Sequence, residues 1–274
     1  MLGLGNTLSG GIVPAAAAGC AAPVCDGLVG WFKSGEGITL DTTGGTTTVS
    51  SWANQADGED WALSQDVKAT QPVYDDTNDL VSIDGDVPTG LDGLDGKMAW
   101  DADWSVVLIA DVSDNQSGHF MMHDDSYFTR WWINDNDGQW QLWHNYRANY
   151  FKIPWDNDAD YDGDTGDSFD IFGIVFPGEE ISAGSDPPGN DNLGRIINQY
   201  LFTCDPDEDG LDTYTQTRSG NALNRLGAND GRTNGAQYKV KELMIFDKQL
   251  NQTEVTAIYA YADTIVTLHK FTIG

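Results

Sequence analysis

Along most of this chain, apolar residues either alternate with polar ones or gather into short unbroken runs. Alternation marks a strand with one buried face, and a short unbroken run marks a strand covered on both faces. Strands are predicted at 27–32, 46–52, 61–64, 104–112, 127–134, 140–150, 169–176, 199–203, 214–218 and 240–246. The run Val106-Val107-Leu108-Ile109-Ala110 reads as the central strand, and the stretch ending Leu243-Met244-Ile245-Phe246 reads as the strand that closes the sheet. Between two of the strands lies Asn134-Asp135-Asn136-Asp137-Gly138, a strong hairpin-turn signal.

The period changes once. Val255, Ile258, Tyr259, Ala262 and Ile265 recur at helical spacing. Asn251 can cap that helix by accepting from a free backbone N–H, and Glu254 can reach back to the cap. Leu250 and Val255 are placed as a hydrophobic staple. The apolar face is expected to pack on the sheet.

The expected fold is therefore all-β: a two-sheet antiparallel jelly-roll sandwich, with one short C-terminal helix and an extended N-terminal arm. The chain has 274 residues, with ten each of Trp, Tyr and Phe for a core and 31 Gly for turns. Residues 1–26 are Gly- and Ala-rich, lack periodicity and cannot build a core of their own. They are read as an arm that orders on a partner, and 27–274 as one sandwich.

Charge excludes several roles. There are 43 acidic against 14 basic residues, a formal net of -29, and only seven of the acids are Glu. Asp favours turns, so the acid belongs mainly to connections. Nucleic acid and anionic membrane surfaces are repelled by this balance. Divalent cations and salty water suit it. The longest apolar stretch, 15–24, is too short to span a bilayer. No Lys or Arg precedes Lys33, so the positive region of a signal peptide is missing. Cys20 and Cys25 are close enough to pair, leaving Cys204 over, although reduced thiols are an equal reading.

Three stretches carry a family resemblance. The first is Leu28-Val29-Gly30-Trp31-Phe32, with Val49-Ser50-Ser51-Trp52-Ala53-Asn54-Gln55 and Gln71-Pro72. The second is the central strand. The third is Leu226-Gly227 followed by Tyr238-Lys239-Val240-Lys241-Glu242-Leu243-Met244-Ile245-Phe246, Leu250 and Glu254. Residues 27–268 thus resemble the concanavalin A-like lectin/glucanase superfamily in its laminin-G-like branch, which implies a fold and no chemistry by itself. The start Met1-Leu2-Gly3-Leu4-Gly5-Asn6 resembles structural proteins of tailed phages of marine bacteria.

A glucanase of that superfamily would place two carboxylates on one strand face as Glu-x-Asp-x-x-Glu. No such strand is present, nor a nucleophile elbow or phosphate loop. The chain is accordingly expected not to be an enzyme. The candidate metal ligands are Asp205, Asp207, Asp209 and Asp212, the first half of a calcium loop with Gln216 where an EF-hand needs Glu. A second half-pattern is Asp158, Asp160 and Asp162. Both are also readable as solvated acidic loops. Trp131, Trp132, Trp140, Trp143 and Tyr146 are the candidate glycan platform, since aromatic faces stack on sugar rings; core packing explains many such residues as well.

These readings combine into one expectation: a virion structural protein on the outer surface of a capsid or tail, held to other virion proteins by residues 1–26. It would be an oligomer or part of a symmetric assembly, touch host surface glycans and take calcium. A free-standing carbohydrate-binding module or adhesin is the alternative, with a glycan hydrolase behind it.

Overall fold

The computed structural model describes residues 20–84, 89–99, 101–111, 118–122, 129–134, 139–144, 147–152, 169–178, 194–203, 223–227 and 237–268. In chain order the strands are β1 (Leu28–Lys33), β2 (Ile38–Asp41), β3 (Thr48–Ala53), β4 (Ala62–Ser64), β5 (Val73–Asp75), β6 (Leu80–Ile83), β7 (Gly90–Asp92), β8 (Trp104–Asp111) and β9 (Gly118–Met122). There follow β10 (Thr129–Asn134), β11 (Gln139–His144), β12 (Arg147–Lys152), β13 (Asp170–Phe176), β14 (Gly194–Ile197), β15 (Tyr200–Thr203), β16 (Arg225–Gly227) and β17 (Tyr238–Phe246). Among the described residues one α-helix, α1 (Gln252–Ile265), follows β17.

The strand pairings are antiparallel and resolve into two sheets. The first runs from β1 and β6, which lie end to end along one edge of β17, through β17 to β8, β13, β14 and β15. The second runs β2, β3, β4, β7, β16, β9, β10, β11 and β12. The β5–β6 ribbon joins them, because β5 also pairs with β3.

The apolar pattern explains the layers. In β8, Val106, Leu108 and Ala110 enter the core shared with Trp52, Leu63, Leu91 and Leu226 of the second sheet. Val107 and Ile109 enter a separate core with Val255, Ile258 and Ala262 of α1. Every residue of β8 is buried, as its unbroken apolar run requires. The molecule is thus sheet on sheet, with a helix on the back of the first sheet. β17 switches parity along its length. Tyr238 and Val240 face the inter-sheet core, and so do Leu243 and Ile245. A bulge between Val240 and Glu242 makes the change, since one extra residue inverts the alternation beyond it.

Expectation and structure differ at several points. β2, β5, β6, β7, β9 and β14 are not among the expected strands, because runs of three to five residues carry little of a period. The predicted strand 140–150 is two strands, β11 and β12, paired from Gln139–Lys152 to His144–Arg147. Aromatic density masked the short connection between them. β17 does not close the sheet: it lies inside it, between β1 and β8, because its apolar run is covered on both faces. The predicted strand 214–218 lies outside the described residues.

The signature residues act structurally. Asn54 caps the outer edge of β1: its Oδ1 accepts from Trp31 N at 2.8 Å and its Nδ2 donates to Val29 O at 2.8 Å. Gln252 does the same for β15, accepting from Leu201 N at 2.9 Å and donating to Gln199 O at 2.7 Å. Both edges of the first sheet are thereby closed to a further strand. Trp52 Nε1 donates to Lys33 O at 3.0 Å, and Tyr238 OH to Phe120 O at 2.7 Å, so each ties one sheet to the other. The capping box of Asn251 and Glu254 is present as read, and Leu250 and Val255 are both buried.

Candidate functional site

Alternation along the strands decides which polar residues stand on the outer face of the second sheet. Leu91 and Leu226 oppose each other and are buried between the sheets. The next pair, Asp92 and Arg225, therefore stands on the far side. Trp52 and Leu63 are likewise inside, which puts Ser51 and Ser64 outside.

The register links these positions into one rank. Thr39 pairs with Ser51, Ser51 with Ser64, Ser64 with Asp92, and Asp92 with Arg225. The same rank continues through the backbone positions of Met122, Arg130, Trp143 and Ala148. Nine strands at about 4.8 Å spacing give it a length of about 38 Å. Its described half is hydroxyl, hydroxyl, hydroxyl, carboxylate and guanidinium.

Asp92 and Arg225 form the strongest pair in the rank. Arg225 Nη1 lies 2.7 Å from Asp92 Oδ1 and 2.9 Å from Oδ2. The Arg225 side chain is 6% exposed and that of Asp92 44%. A buried, permanently charged guanidinium therefore orients a carboxylate that reaches solvent. Such a rank can donate and accept hydrogen bonds along a line, which suits a ligand rich in hydroxyls.

The predicted aromatics enter this site only through their strands. β10 and β11 pair Arg130 with Trp143, Trp131 with Leu142, Trp132 with Gln141 and Ile133 with Trp140. Trp143 thus shares the rank of Asp92 and Arg225, whereas Trp131 is in register with Met121. Tyr146 lies outside the described residues. So do both acidic loops, Asp205, Asp207, Asp209 and Asp212, and Asp158, Asp160 and Asp162. Among the described residues, no group of three or more His, Cys, Asp or Glu is placed to hold a metal ion.

Thr39, Ser51, Ser64, Asp92 and Arg225 were not singled out in the sequence. Each is a polar residue beside a core residue in a short strand, and that signal is common. What makes them a site is pairing across long separations, 133 positions for Asp92 and Arg225.

A second polar cluster lies behind the first sheet. Glu242 is buried, with Trp31 Nε1 donating to one oxygen at 2.8 Å and Tyr261 OH to the other at 2.7 Å. Burial pushes its carboxyl above the usual range, against those two hydrogen bonds and the nearby charges of Lys33 and Lys241. Burial and the Glu242 hydrogen bond also push the Tyr261 hydroxyl up. The cluster pins α1 to the sheet.

No family model matches the chain, and no curated protein matches its sequence. Solved structures do. Trypanosoma rangeli sialidase in complex with sialic acid aligns with a TM-score of 0.53 at 12% identity, over 93% of this chain and 36% of the sialidase. An arabinofuranosidase complexed with arabinofuranosyl-alpha-1,2-xylobiose aligns at 0.52 and 12% identity, over 88% of this chain and 60% of that one. The binding domain of botulinum neurotoxin serotype D reaches 0.49 at 12% identity, over 88% and 53%, too loose a match to argue from. This chain spans about a third of the sialidase and less than two thirds of the arabinofuranosidase. At such identity the likeness is one of fold, and the β-sandwich expected from the sequence agrees with it.

The expectation of a non-enzyme is corrected. Two of the structures that share the fold are glycosidases, so neither the fold nor a missing linear motif excludes catalysis. The physical reason is topological: a sandwich joins side chains from distant strands, as it joins Asp92 to Arg225, and a search for adjacent carboxylates cannot see such pairs.

Proposed function

We propose that this chain is a glycan-engaging β-sandwich domain whose ligand lies along the outer face of the second sheet. The observation that carries the reading is the rank of Thr39, Ser51, Ser64, Asp92 and Arg225, in which the guanidinium orients a half-exposed carboxylate. Hydroxyls and carboxylates in line match the hydroxyls of a saccharide chain. The sugar complexes of the two fold neighbours support that ligand class. In the finer form of the proposal, the domain is displayed on the outside of a tailed-phage particle, with residues 1–26 as its anchor and calcium at Asp205, Asp207, Asp209 and Asp212. The resemblance of the first six residues and the acidic composition support that form.

Hydrolysis is the second reading, favoured by the sialidase and the arabinofuranosidase among the fold neighbours. A glycan array tests the first. The parent is expected to bind a subset of glycans, and Ser64→Trp, which fills the middle of the rank from an exposed position, is expected to lose them. Equal binding by both proteins rejects the rank as the site. Release of fluorophore from sialoside or arabinofuranoside substrates separates cleavage from binding. Calcium is checked by isothermal titration, where heat is expected from the parent and little from Asp207→Ala.

A further inference from the structure

Residues 20–25 form a loop closed by a disulfide between Cys20 and Cys25. Within it, Ala22 and Val24 are buried in the core layer that holds Trp31, Phe246, Leu250, Val255 and Ile258. Ala21 is exposed, and Pro23 and both cysteines are partly exposed. Ala22 and Val24, with the partly buried Cys20 and Cys25 packed beside them, are a weak anchor for six ordered residues, because the entropy of fixing that much backbone exceeds what such small groups return on burial. The loop's exit adds a backbone hydrogen bond, Leu28 N to Cys25 O at 3.3 Å, and an ion pair between Asp26 and Lys248. The disulfide supplies what is missing, since it restricts the loop in the unfolded chain as well.

We propose that Cys20–Cys25 is a redox latch for the N-terminal segment. Oxidised, it holds residues 20–26 on the back of the first sheet. Reduced, it lets them go while the sandwich stays folded. The sandwich survives because its own closures start at Gly27: Asp247 N bonds Gly27 O at 2.8 Å, and β1 pairs with β17 from Leu28 onward. Lys248 keeps Glu254 at 2.8 Å when Asp26 leaves.

The reductant is a small thiol of the glutathione class, and Cys20 and Cys25 are partly exposed residues. One thiolate attacks a Cys Sγ and breaks the S–S bond, giving a mixed disulfide. A second thiolate attacks the reductant's own sulfur in that mixed disulfide and releases the cysteine, so that two electrons and two protons end on Cys20 and Cys25. The reductant departs as its own disulfide. Opening frees six residues, which lengthens the reach of everything before them by up to about 20 Å. The chain would then carry a long tether in reducing surroundings and a docked one in oxidising surroundings. This inference stands independently of the glycan reading.

Hydrogen exchange read by mass spectrometry on the full chain, in a Cys204→Ser background, tests it. With tris(2-carboxyethyl)phosphine, exchange in peptides covering 20–28 is expected to rise on the order of ten-fold, while β8 and β17 stay protected. Cys20→Ser/Cys25→Ser should show the fast exchange without reductant. Unchanged exchange at 20–28 after complete reduction overturns the latch. So does a rise shared by β8 and β17, because the disulfide would then hold the whole fold.

Discussion

Asn54→Ala should be among the more damaging changes outside the core. The Asn54 side chain accepts from Trp31 N at 2.8 Å and Ala56 N at 2.9 Å, and donates to Val29 O at 2.8 Å. Gln55 N completes the edge by donating to Trp31 O at 2.7 Å. Removing the amide strands two donors, Trp31 N on the edge of β1 and Ala56 N, while Val29 O keeps Trp61 Nε1 at 3.2 Å. Three hydrogen bonds at about 1 kcal/mol each, with part of the desolvation penalty for the stranded groups, give about 3–4 kcal/mol. For a domain of this size that lowers the melting temperature by roughly 6–16 °C. Asn54→Asp is the control: it keeps both acceptors but sets a carboxylate oxygen against the Val29 carbonyl, so it should fall between parent and Ala. Melting followed by tryptophan fluorescence reads all three proteins. An Asn54→Ala midpoint indistinguishable from the parent would refute the idea that this side chain closes the edge.

Glu242 and Asp41 should show pH dependences of opposite sign. The Glu242 carboxyl is raised by burial from an ordinary value of 4.5, so its contribution to stability is full below that value and is lost as pH rises through the folded one. Glu242→Gln should therefore gain on the parent as pH rises above 4.5, and a pH-independent difference in melting temperature would reject this. Asp41 is held at about 2, chiefly by the Thr43 hydroxyl, then by Thr43 N–H and Lys68. Its contribution is present above the ordinary 3.8 and is lost as pH falls through about 2, so the gap between parent and Asp41→Asn should close in that window. Gly27 has φ of +72°, and an added Cβ would lie 2.5 Å from Lys248 Cδ. Gly27→Ala should cost about 1–3 kcal/mol in chemical denaturation, and a neutral result would mean that the turn before β1 relaxes freely.

The fold was largely legible because its signals are local. The capping box, the staple and the period of α1 lie within one stretch, and the burial of β8 on both faces follows from its unbroken apolar run. The three-residue strands β4, β5, β7 and β16 are too short to carry a full period, and β5 and β7 leave no mark in the pattern. The bulge in β17 was also invisible, because it is a relation between two strands. The candidate site was least legible for the same reason. Trp143 drew attention as an aromatic, but Ser51, Ser64, Asp92 and Arg225 acquire meaning only when nine strands fall into register. Asn54 and Gln71 belong to the sequence signature; Asn54 replaces missing backbone partners, and Gln71 accepts from the Thr48 hydroxyl at 2.6 Å and donates to Gln65 O at 2.7 Å.

Amide chemical-shift mapping with a glycan taken from the array tests the central claim most directly. Saturable shifts at Thr39, Ser51, Ser64, Asp92 and Arg225, absent in Ser64→Trp, are the predicted result. Saturable binding whose shifts fall on α1, on the β5–β6 turn or anywhere off the outer face of the second sheet would contradict it.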